Sequence, residues 1–141
     1  MNIMTHWQAL QALSHHNPFY QQLFEYIFQG IDHNNPKDSN YDEYWLESTL
    51  ILLDSQEDKR LMTITDKQAF ILHFPHDYRS HIEYLLDYPE YTESLGDTHY
   101  ISLAIWSDEG SGIFLVFDKA LGKQNTVLNT LVQESYHEYH S

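Results

Sequence analysis

The chain contains no cysteine. Disulfides, zinc–thiolate centres, iron–sulfur clusters and cysteine nucleophiles are excluded by that alone, and the lack fits a reducing compartment. Positive charge is almost as scarce, with seven Lys and Arg in 141 residues. Neutralising a phosphate backbone needs a basic face, so nucleic acid is not an expected partner. Binding to an anionic lipid surface fails for the same reason. No stretch reaches the ~18–20 apolar residues of a membrane span, and Met1 to Leu13 lacks the basic and apolar regions of a signal peptide. A cytoplasmic location is the expectation. There is no P-loop, no dinucleotide fingerprint and no nucleophile elbow.

What the chain does have is negative charge. It carries 21 Asp and Glu, for a formal net charge of -14, with 11 tyrosines and 3 tryptophans among them. A hydrophobic fraction of 42% is too high for a disordered acidic tail. The length suits one domain over residues 1–141. Ten histidines make the charge depend on pH: their full protonation, near-complete by pH ~5, would bring -14 to -4. Attraction to a basic partner is then expected to weaken between pH 7 and about 5.5.

Periodicity supplies the elements. Thr5 with Gln8 resembles a capping box ahead of Trp7, Leu10 and Leu13. Asn17 and Pro18 open a second helix, and Gly30 suits its exit. Tyr20, Leu23, Phe24, Ile27, Phe28 and Ile31 form its apolar stripe. Residues 32–40 read as a polar loop, and Asn40 with Glu43 as a cap for a short third helix. Ser48 to Asp54 reads as a buried strand. Leu61 to Thr65 and Ala69 to Phe74 read as a hairpin, ended by Pro75. Asp77 is a candidate cap for a helix through Leu86. Tyr100 to Trp106 and Ile113 to Phe117 form a hairpin about SDEGSG. A final helix spans about Gln124 to Tyr136. The expected fold is α+β: an antiparallel sheet of about five strands, a three-strand unit plus a hairpin, with helices packed mainly on one face.

Two segments interleave acids with aromatics. Asp38 to Glu47 holds Asp38, Asp42, Glu43 and Glu47 around Tyr41, Tyr44 and Trp45. Glu83 to Tyr100 holds Glu83, Asp87, Glu90, Glu93 and Asp97 around Tyr84, Tyr88, Tyr91 and Tyr100. Carboxylates steer a basic partner into encounter, and Tyr or Trp gives contact area at low entropic cost. The expected partner-binding residues are Asp42, Glu43, Tyr44, Trp45, Glu47, Asp87, Glu90, Tyr91 and Glu93. The bland alternative for either segment is a solvated face.

Imidazoles and a carboxylate also gather at His73, His76, Asp77 and His81. Their spacing matches no zinc-enzyme signature, so no metal and no cofactor is expected. No catalytic residues are assigned. In size, charge and composition the chain is similar to bacterial toxin-immunity proteins, which bind and block basic toxins. That resemblance implies a small acidic inhibitor whose partner is a basic, nuclease-like protein. A DNA-mimic anti-restriction protein, with carboxylates as phosphate surrogates, is the alternative. A ligand-binding or enzymatic domain using the histidines is the third reading.

Overall fold

The computed structural model describes residues 1–29, 41–108 and 110–140, with side chains through 133. Expectations resting on Gly30, Ile31, the 32–40 loop, Asp38 and the Asn40 cap lie outside the described residues. At the centre is a five-stranded mixed sheet in the order β1-β2-β5-β4-β3. Its strands are β1 (Asn2–Met4), β2 (Thr49–Leu53), β3 (Tyr91–Leu95), β4 (His99–Ile105) and β5 (Gly112–Asp118). Three of the pairings are antiparallel, while β2 and β5 run parallel, with Leu50 opposite Phe114 and Leu53 opposite Phe117. The helices are α1 (Trp7–Ser14), α2 (Pro18–Ile27), α3 (Tyr41–Trp45), α4 (Lys67–Leu72), α5 (Arg79–Asp87), α6 (Lys119–Gln124) and α7 (Thr126–His140). The α+β class holds. The wholly antiparallel sheet does not.

The helices also cover both faces rather than one. All five residues of β2 are buried, which is how a strand reads when each face is covered. Leu50 and Leu52 join Leu10, Leu23, Phe24, Phe28 and Trp45 from α1 to α3. Ile51 and Leu53 join Phe70, Ile82, Leu85, Leu121 and Leu128 from α4 to α7. The alternation of β5 divides in the same way, with Val116 on the first side and Leu115 and Phe117 on the second.

The hairpin expected over 61–74 is helical. Gln56–Thr63 is a 3₁₀ helix closed by a reciprocal cap between Ser55 and Asp58. Asp66 caps α4 by accepting from the Ala69 N–H at 2.9 Å. Phe70, Ile71 and Phe74 then fall on one helical face and enter the core. Local capping outweighs the β-propensity of the apolar runs. The sheet reaches five strands with β1 and β3 instead. Two expected caps are also absent: α1 starts at His6 with no side-chain cap, and α5 is preceded by a 3₁₀ turn, His76–Tyr78, in which Asp77 caps nothing. Asn17 does cap α2, through Phe19 N–H at 2.8 Å.

Candidate binding surface

The strand registers bring Glu47 of the first acidic segment and Glu90 of the second to one end of the sheet, while Asp97, between β3 and β4, lies at the other. Thr49 pairs with Ile113, Ala104 with Ile113 and Tyr91 with Leu103. So β2, β5 and β3 begin at the same end, and β4 and β1 finish there. Glu47 leads into β2, Asp108 lies in the β4–β5 turn and Glu90 leads into β3. Glu47 and Glu90 are separated by three strand spacings, about 14 Å. We call this end the acidic rim.

On one side of the rim α3 is tied to the N-terminal segment. Trp7 Nε1 donates to Asp42 at 2.6 Å, and the Trp7 and Tyr41 rings lie 4.7 Å apart. Leu46 follows with φ 53, a left-handed turn that few non-glycine residues adopt. Across this turn the chain drives Trp45 inward and leaves Glu47 exposed. Trp45 is 2% exposed; its Nε1 donates to the Thr5 carbonyl at 3.1 Å, and it stacks between Phe28 and Phe114. Its apolar bulk serves the core, not a partner. Tyr44, next to it, is 49% exposed, and Asp42, Glu43 and Glu47 are exposed as well.

On the other side, α5 carries an aromatic row. Tyr84 donates to the Ile105 carbonyl at 3.0 Å and packs edge-on against Trp106. Tyr88 lies 5.2 Å from Tyr84 and is 65% exposed. His81 stacks on Trp106 at 4.7 Å. Asp87 is exposed and pairs with Lys67 of α4. The second segment holds no positive residue in sequence, yet the fold delivers one to it. The Asp87 carboxylate beside Lys67 pushes its ammonium pKa up.

Glu93 and Tyr91 lie along β3, on the edge of the sheet. Tyr26 of α2 donates to the Glu93 carboxylate. Burial, with Glu93 close by, pushes the Tyr26 phenol up, and burial does the same for Tyr91. Both phenols therefore stay protonated, so Tyr26 remains a donor to Glu93. Tyr91 is only half-buried but packed in this cluster, not projected from the rim. The rim thus collects Asp42, Glu43, Tyr44, Glu47, Asp87 and Glu90, and separates them from Trp45, Tyr91 and Glu93. The expected partner-binding set omits Tyr88, Trp106 and Asp108. The spacing of His81, Tyr84 and Tyr88 at i, i+3 and i+7 was the signal for one helix face. The place of Trp106 beside it was not readable.

The four residues of the histidine segment part company. His76 and Asp77 are 90% and 92% exposed. His81 joins the Trp106 stack, and His73 Nε2 pairs with Asp58 at 2.8 Å. Among the described residues no group of His, Asp and Glu is arranged to hold a metal ion. Asp58 also takes the Met1 amine, the Ser55 N–H and the Ser55 hydroxyl, each at 3.0 Å. Burial raises its carboxyl, but the bonds from His73, the Ser55 backbone, the amine and the Ser55 hydroxyl outweigh it and hold the pKa below the usual aspartate value. Ser55 and His73 both bond to the carboxylate and not to each other, so the cluster lacks the nucleophile–base contact of a hydrolytic triad. It fastens the 3₁₀ helix and α4 to the start of the chain.

No protein-family model, no curated protein and no solved structure matches this chain.

Proposed function

We propose that the protein is a binding inhibitor of the immunity type, which engages a basic, nuclease-like protein through the acidic rim. The supporting observation is that part of each acid–aromatic segment, Asp42 to Glu47 and Asp87 to Glu90, lies at one end of the sheet. Asp42, Glu43, Glu47, Glu90 and Asp108 are exposed there around Tyr44 and Tyr88. Among the described residues, the ion pair that touches this group is Lys67 with Asp87. Unneutralised carboxylates raise the rate of encounter with a cationic surface, by a factor that falls as salt rises. Tyr44 and Tyr88 supply the contact area that holds the complex after encounter.

The experiment is capture from a host lysate on immobilised protein, with the Glu47→Lys/Glu90→Lys double variant in parallel. The wild type should retain a basic protein. Its association rate with that partner should exceed the variant's by about tenfold at low salt, with the difference shrinking at high salt. Equal rates for the two, or capture of an acidic partner, would remove the rim from the interface.

A further inference from the structure

At the opposite end of the sheet from the rim, the N-terminal half of α2 rests on the β3–β4 turn through two contacts. The Phe19 ring lies 4.3 Å from the His99 imidazole, inclined at 37°. A Cβ at Gly96 would lie 2.5 Å from Gln22 Nε2, so the Gln22 amide sits against the backbone of the turn. His99 opens β4 opposite Asp118 at the end of β5, and its Nδ1 shares a hydrogen bond with the Thr98 hydroxyl at 2.7 Å. Two carboxylates act on the ring, Asp118 from the end of β5 and Asp54 from just beyond β2. Asp118 is already engaged as the cap of α6, accepting from the Leu121 N–H at 2.6 Å. Lys119 extends over the Tyr100 ring, 5.3 Å from its centroid. Asp97 of the turn, and His15 and His16 ahead of α2, are exposed.

Phe19 belongs to the first turn of α2, the positive end of the helix dipole, where a cation is disfavoured. The ring stacked on it is half-buried, and burial opposes charge. Burial holds the imidazole pKa below its ordinary value, although the Asp118 and Asp54 carboxylates pull it up. The docked ring therefore takes a proton less readily than a ring released to solvent, and by linkage a proton favours release. Docking is at full strength above the ordinary imidazole value of about 6.5 and weakens as pH falls below it. We propose that His99 is a pH-sensitive latch: its neutral ring holds the start of α2 on the β3–β4 turn, and its protonation lets that start open. The latch is remote from the acidic rim and does not rest on the inhibitor reading.

The test is NMR of the full chain over a pH titration, with hydrogen exchange at the Gln21 and Gln22 amides corrected for intrinsic rates. His99 should titrate below its ordinary value of about 6.5, and the amide shifts of Phe19 to Gln22 should follow its midpoint. Opening at Gln21 and Gln22 should rise about two- to eightfold between pH ~7 and ~5.5, the upper figure being the limit for a ring protonated only when released. Phe19→Ala removes the stack. Its opening at neutral pH should reach the level that wild type shows in acid, and its His99 midpoint should move up toward the ordinary value. His99→Phe keeps a ring that cannot be protonated, so its opening should not change with pH. The His15→Gln/His16→Gln variant should keep the wild-type response. A His99 midpoint at or above the ordinary value, or α2 amides that do not follow it, would overturn the proposal. So would an unmoved midpoint in Phe19→Ala, a pH response that survives in His99→Phe, or one lost with His15 and His16.

Discussion

Tyr44 and Trp45 are adjacent in sequence and opposite in role, and replacing each by alanine separates the two. Trp45 is fully enclosed, between Phe28 and Phe114 at 6.2 Å on either side, with its indole N–H on the Thr5 carbonyl. Truncating a buried tryptophan costs about 3–5 kcal/mol, through lost transfer energy and the cavity left behind. The Thr5 hydrogen bond adds about 1 kcal/mol within that range. For a chain of 141 residues the unfolding entropy is about 0.3 kcal/mol per kelvin, so a 4 kcal/mol loss lowers Tm by roughly 13 °C. Tyr44→Ala removes a side chain that is already half in water, and should cost less than about 0.5 kcal/mol. Urea denaturation followed by far-UV circular dichroism measures both. The same two variants, assayed against a captured partner, should show weaker binding for Tyr44→Ala. A Trp45→Ala loss below 1 kcal/mol would refute the placement of the indole in the core. A Tyr44→Ala loss above 2 kcal/mol would refute its assignment to the surface.

Two further perturbations probe the frame that holds the rim. Asp58→Asn keeps the shape of the side chain but removes the charge opposite His73 and the Met1 amine, and should cost about 3 kcal/mol at neutral pH, as for breaking a buried ion pair. Because the Asp58 carboxyl is held below its ordinary value, its contribution is complete above the unfolded value of about 4 and is lost as pH falls through the lower folded value. Wild type should therefore lose more stability than Asp58→Asn between pH 6 and about 2.5; parallel curves would contradict the ion cluster. Gly112→Ala places a Cβ 2.2 Å from the Ala104 carbonyl oxygen, at the first β4–β5 rung of the rim. It should cost about 1–3 kcal/mol by overpacking against backbone, and an unchanged urea midpoint would show that the hairpin is looser than described.

Strong local signals were legible in the sequence. The Asn17–Pro18 start of α2 was marked by a capping side chain and a fixed φ, and both act within three residues. The β4–β5 hairpin was marked by its glycines and alternation, and Gly110 does adopt φ 101. Signals that compete locally were misread: the apolar runs about Asp66 have strand propensity, but the Asp66 and Ser55 caps decide for helix. β1 has three residues, too few to show a period, and β3 does not alternate between buried and exposed positions; both exist because β2 and β4 offer them ladders.

By itself the sequence determined the charge, the exclusion of thiol chemistry, the α+β class and the two segments where acids and aromatics mix. Those properties are sums over residues or patterns within a few of them. Only the tertiary structure decided which of these residues face outward. The parallel pairing of β2 with β5 joins residues more than sixty positions apart. It sets Glu47, Asp108 and Glu90 at one end of the sheet. The left-handed turn at Leu46 and the apolar cluster of Phe28, Leu50 and Leu52 take Trp45 into the core and leave Tyr44 outside. The physical reason is that burial depends on which distant surfaces close over a side chain, and no neighbour in sequence encodes that.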